Sequence, residues 1–185
     1  MSSLLRLTLS EYDHMVAVGA FERLERGIEM IYGEIREMSP AGPIHDDYVR
    51  FLNQWAASFL TPTTGMSQVQ SGLVVGESVP EPDLVIIKPG RYLNQRACSE
   101  DALLLIEVAE SSLSFDLGQK AELYASVGIA EYWVIDVTGA QLYCHREPLN
   151  GRYAYLKVLA KTELLAPIAF PSTALQLSRL FVGDA

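Results

Sequence analysis

LLLIEVAESSLSFDLGQKAELYASVGIAEYWVID, residues 103–136, reads as strand, helix, strand. Leu103 to Val108 is a continuous apolar run, long enough for a central strand covered on both faces. Glu131 to Asp136 is a second run of the same kind. Between them, Leu113 to Val127 forms an amphipathic helix whose stripe is Leu113, Leu117, Lys120, Tyr124 and Val127. Gly128 is a natural residue to follow its last turn. A strand–helix–strand unit of this length predicts two parallel strands joined by a crossover.

Outward from that unit, the chain keeps alternating types. Gln141 to His145 and Tyr153 to Leu159 predict a hairpin around Asn150-Gly151. Upstream, Gln68 to Gln70, Leu73 to Val75 and Leu84 to Ile87 are short β-type runs. Residues 29–38 alternate around Gly33 and predict another hairpin. Ser39 to Pro43 is a breaker cluster, and His45 to Leu60 reads as a helix with Tyr48, Phe51, Leu52, Trp55 and Phe59 on one face. Ser10 is the expected N-cap of a short helix reaching Val16. The fold class is therefore α/β or α+β, a mixed central sheet flanked by helices, in one domain over residues 1–185.

The chain has 185 residues, 23 acidic and 14 basic, for a net charge of −9. That argues against a protein whose whole surface grips nucleic acid, though not against a local basic patch. No apolar run approaches a membrane span and no secretory signal is visible. Cys98 and Cys144 have neither metal-ligand spacing nor a disulfide framework, so reduced thiols in a cytoplasm are expected.

Lys120 sits in the middle of an apolar stripe. An unpartnered buried ammonium costs several kcal/mol, so Lys120 is expected to face carboxylates. Asp83 at the entrance of Leu84 to Ile87, and Glu107 inside Leu103 to Ala109, are the candidates. Each has a bland reading. Asp83 after Pro82 suits a turn, Glu107 suits a strand end in solvent, and Lys120 could snorkel to water. Together each supplies the partner the others need. Two carboxylates suit Mg²⁺ or Mn²⁺, which would activate a water, and a lysine offsets charge in the transition state. His45 reads as a helix-start residue or as a phosphate or outer-sphere contact. His14 and His145 carry no pattern.

Gly33-Glu34 in a hairpin, His45 opening a helix, Pro82-Asp83, the Glu107-Val108 strand and the series Asp116, Lys120, Tyr124, Gly128 and Glu131 to Asp136 carry a resemblance. Over about Leu9 to Phe181 the chain resembles the Uma family of candidate endonucleases, within the PD-(D/E)XK superfamily. The resemblance implies a restriction-endonuclease-like fold and a DNA-cleaving site. Asp83 and Glu107 become the metal ligands for Mg²⁺ or Mn²⁺. Lys120 becomes the catalytic lysine, moved from the strand, where Ala109 now stands, to the following helix. Glu34 is added as a further acidic site residue. The partner implied is DNA, and a homodimer is compatible. The usual Ser-Pro turn after the glutamate is Ala109-Glu110-Ser111-Ser112 here. Two other readings stay open: an inactive interaction protein of this fold, and a phosphoesterase on a smaller substrate.

Overall fold

The computed structural model describes residues 4–24 and 26–182. In chain order, helix α1 (Leu9–Ala17) leads to a hairpin of β1 (Ile28–Ile31) and β2 (Glu34–Glu37), then to helix α2 (Pro43–Ala57). Strands β3 (Met66–Val69), β4 (Leu84–Ile87) and β5 (Ala102–Ala109) follow. A helical crossover leads to β6 (Glu131–Asp136), and β7 (Gln141–Leu149) and β8 (Arg152–Ala160) form the long hairpin. The crossover is α-helical at Leu113–Phe115, π-helical at Asp116–Lys120 and α-helical again at Ala121–Ser126. We call it the lysine helix.

Six strands form one sheet in the order β3-β4-β5-β6-β7-β8. All neighbours are antiparallel except β5 and β6, which run parallel on either side of the lysine helix. The sheet is thus mixed and flanked by helices, as the alternation of patterns predicts. Its two faces divide the strand residues by parity. Leu84, Ile86, Leu104, Ile106, Val108, Trp133 and Ile135 pack with α2. Val85, Ile87, Leu105, Ala109, Tyr132 and Val134 pack with Leu123 and Tyr124 of the lysine helix. Glu107 shares the parity of Leu105 and Ala109, so it must face the lysine helix.

The hairpins follow their turn residues. Asn150 and Gly151 both have positive φ, as a two-residue turn of the type expected there requires. At Gly33, φ is +77° and an added Cβ would lie 2.7 Å from the Leu7 carbonyl oxygen, so glycine is required. The β1–β2 hairpin is a separate two-stranded sheet, tied down by Met30 against Val79.

Three boundaries differ from expectation. Thr8, not Ser10, caps α1, because Glu11 three residues on returns a bond to the Thr8 backbone. α2 begins at Pro43 and ends at Ala57, since proline at a first helical position loses no hydrogen bond. Leu73 to Val75 makes only isolated bridges to Ser78 and Cys98 and is no strand. Among the described residues no helix is long and apolar enough to cross a membrane. Both cysteines are free.

Candidate active site

β4 and β5 bring Asp83 and Glu107 side by side. Asp83 stands just before β4, and each carboxylate is held by the other's backbone neighbourhood. The Val108 amide donates to Asp83 Oδ2 at 2.8 Å, and the Asp83 amide reaches Glu107 Oε2 at 3.4 Å. From the other side, Lys120 Nζ donates to Glu107 Oε1 at 3.0 Å and Tyr124 Oη donates to the same oxygen at 2.9 Å. Lys120 and Tyr124 are one turn apart, so one helix face delivers both. Ala109 is buried two residues after Glu107 and offers no polar group.

Lys120 is 6% exposed, so it does not snorkel into water. Three carboxylates surround its ammonium: Glu107 at 3.0 Å, Glu29 at 3.4 Å and Asp116 at 3.9 Å. Burial by itself would lower the lysine's pKa; these three charges outweigh it and raise it. Lys120 is therefore a cation at any physiological pH. Burial pushes the Glu107 carboxyl well above the usual range, against the pull of Lys120. Burial raises Asp116 as well, opposed by Lys120 and by the Ser112 hydroxyl. Tyr124 is pushed up by burial and stays a hydrogen-bond donor.

His45 enters from the first turn of α2. Its Nε2 lies 3.0 Å from Asp83 Oδ1, and its Nδ1 is buried without a hydrogen-bond partner. The Asp83 hydrogen bond raises its pKa, with burial opposing. His45 is thus neither a bare cap nor a solvent group; it orients Asp83.

The predicted site residues separate into two groups. Asp83, Glu107 and Lys120 converge. Glu34 does not: it pairs with Arg6 at 3.3 Å and Arg36 at 3.7 Å and is absent from the cavity wall. The acid that the hairpin supplies is Glu29. Register explains the correction. Ile31 faces Glu34 and Glu29 faces Arg36, so all four lie on one hairpin face. Glu34 is two residue pairs nearer the turn, about 6–7 Å too far along the strand. Glu29 and Asp116 were missed, although each had a signal. Glu29 lies in the apolar run Ile28, Met30, Ile31, and Asp116 stands four residues before Lys120.

A cavity of about 570 Å³ opens over these groups. Its wall carries seven carboxylates, Glu29, Glu37, Glu81, Asp83, Glu107, Glu110 and Asp116, against Lys120 and Arg36. The donor set suits a hard divalent cation: all oxygen, strongly acidic, and with Glu29 Oε2 buried and lacking any hydrogen bond despite its ion pair with Lys120. Among the described residues no three or more His, Cys, Asp or Glu side chains form a ready cage. Asp83 and Glu107 would hold such an ion with water or substrate oxygens completing its shell.

Comparison with known proteins agrees with this architecture. Residues 9–178 match the family Uma2, described as "Putative restriction endonuclease". A solved nuclease-like structure from Anabaena variabilis ATCC 29413, described as a putative nuclease belonging to DUF820, superposes with a TM-score of 0.72. It shares 16% identity and covers 95% of this chain and 97% of its own, a likeness of fold. No curated protein matches the chain.

Proposed function

The chain belongs to the Uma2 family, and from that premise we propose that it is a metal-dependent endonuclease hydrolysing DNA phosphodiester bonds. One observation carries the reading: a buried ammonium, Lys120, is held against Glu107, which stands beside Asp83, in an open, acid-rich cavity. A phosphodiester anion would be repelled by seven carboxylates unless a cation stood between them. Asp83 and Glu107 are the ligands assigned to Mg²⁺ or Mn²⁺. When bound, that ion polarises the phosphoryl oxygen and lowers the pKa of a coordinated water.

The chain's own residues do the rest. Lys120 offsets the negative charge that gathers on phosphorus oxygens in the transition state. Tyr124 and His45 hold Glu107 and Asp83 in fixed orientation. Cys98 and Cys144, both free, suit a reducing cytoplasm.

The net charge of −9 favours one second reading, a phosphoesterase on a substrate smaller than DNA. Incubation with plasmid, linear and single-stranded DNA, with Mg²⁺ or Mn²⁺ against EDTA, tests the first reading. Metal-dependent nicking or fragmentation is the expected result. Intact DNA under every metal, with hydrolysis of a small diester such as bis(p-nitrophenyl) phosphate, would replace it with the second.

A further inference from the structure

We propose that Arg36 is the residue that grips the substrate's phosphodiester at the mouth of the cavity, an assignment that rests on the nuclease reading above. Arg36 and Glu29 are direct cross-strand partners on one face of the β1–β2 hairpin. An arginine opposite a glutamate at that spacing ordinarily bridges to it. Here Glu29 turns inward to Lys120 instead. Arg36 lays its guanidinium over the Phe115 ring, 4.9 Å from the centroid, the same ring that Lys120 Nζ approaches at 5.7 Å. Both residues line the cavity.

That posture leaves Arg36 with donors to spare. Its one ion-pair partner among the described residues is Glu34 at 3.7 Å, beyond hydrogen-bond reach. Its Nε is buried with no hydrogen bond. Lys120, the other permanent cation of the wall, is already ringed by three carboxylates. Of the two permanent cations on the wall, Arg36 is therefore the one more loosely paired, with one carboxylate at 3.7 Å against three around Lys120. The Phe115 ring lies against the guanidinium, the side chain keeps part of its surface in solvent, and a guanidinium's planar fork matches two phosphate oxygens. The side chain is 36% exposed, enough for a ligand to reach it. A purely structural clamp between hairpin and lysine helix would use the same stacking contact but would not respond to phosphate.

The test is fluorescence anisotropy with a short labelled DNA duplex and a short single strand, in Ca²⁺, over a range of salt. Thermal melts run beside it. Arg36→Gln should weaken binding about tenfold or more. It should also lower the slope of log affinity against log salt by about one phosphate contact, ~0.9 for the duplex and ~0.7 for the single strand. Arg36→Lys keeps the charge but loses the fork and should bind several-fold more weakly at unchanged slope. Wild-type affinity in a folded Arg36→Gln, or in Arg36→Lys where Arg36→Gln does not fold, would overturn the assignment. Failures separate cleanly. A wild type that binds through Arg36 but cuts no DNA keeps Arg36 and removes the nuclease reading. A wild type that cuts, with a variant that binds and cuts equally, removes Arg36 alone. A wild type that neither binds nor cuts removes both.

Discussion

Two glutamates lie buried on neighbouring central strands, and they are built in opposite ways. Glu131 opens β6 on the face of the sheet that packs with α2; Glu107 lies in β5 on the face toward the lysine helix. Glu131 is fully buried and fully answered. Its Oε1 accepts from Arg146 Nε at 2.9 Å, Arg146 Nη2 at 2.6 Å and Trp133 Nε1 at 2.8 Å, and its Oε2 accepts from the Ile168 amide at 2.6 Å. Arg146 also donates to the Ala166 carbonyl at 2.8 Å. This is one acid for one base, closed, pinning residues 166–168 to the sheet. Around Glu107 there are three carboxylates for one ammonium, one oxygen without a hydrogen bond, and a cavity alongside. A closed pair only holds structure. An acid excess beside a cavity leaves charge for something that arrives from outside.

The comparison predicts its largest effect at the two carboxylates proposed to hold the metal. Asp83→Ala with Glu107→Ala should lower DNA cleavage by about 10³-fold or more, roughly 4 kcal/mol of barrier, and abolish the heat of Mn²⁺ titration. Glu131→Gln should leave the Mn²⁺ titration unchanged. Equal Mn²⁺ heats in wild type and the double variant would erase the distinction between the two glutamates.

Next comes the closed pair. Arg146→Met leaves Glu131 buried and unanswered, and should cost about 3–5 kcal/mol in urea unfolding. A loss under about 1 kcal/mol would mean the pair is not structural.

The closed side also sets a pH window. His145, the β7 neighbour of Arg146, is buried between the Tyr132 and Tyr153 rings, and burial lowers its pKa to about 4. The unfolded chain, with an ordinary value near 6.5, binds more protons between those limits. The contribution is therefore complete above about pH 6.5 and is lost as pH falls toward 4, for a total of about 3 kcal/mol. Melting curves of wild type and His145→Phe from pH 7 to 4 should diverge in that interval. Parallel curves would show that His145 is not held neutral.

The smallest effect is at Tyr124. Tyr124→Phe removes one of two donors to Glu107 Oε1 and should cost about 1 kcal/mol in melting, with a modest loss of cleavage. A loss of cleavage as large as that of the ligand variants would make Tyr124 more than an orienting group.

Periodicity carried most of the fold. Glu131 to Asp136 appears as the strand with the bounds its apolar run implies, and Gly33 and Asn150-Gly151 sit at their turns. The weaker points are places where burial comes from distant partners. Leu73 to Val75 looks like a strand but finds only isolated bridges. Asp83, Glu107 and Lys120 were legible because a charge in an apolar stripe demands an answer. Glu29 shows burial in its apolar run but not its place at the site, because the hairpin's position there depends on Met30 docking against Val79, a contact no local pattern announces. The π-turn over Asp116–Lys120 was hidden for a similar reason. Asp116 and Lys120, four residues apart, would share a face of an ideal α-helix as well; what the wheel does not show is the wider turn between them.

Under the proposed function, Lys120 serves chemistry and Arg146 serves structure. The direct measurement is plasmid cleavage with Mg²⁺ beside thermal melting, for Lys120→Met and Arg146→Met. Lys120→Met is expected to melt within a few kcal/mol of wild type and to cut nothing, because its carboxylates can take up protons once the ammonium is gone. Arg146→Met is expected to melt early yet, below its melting temperature, to cut at the wild-type rate. A folded Lys120→Met that cuts at the wild-type rate would contradict that division of roles.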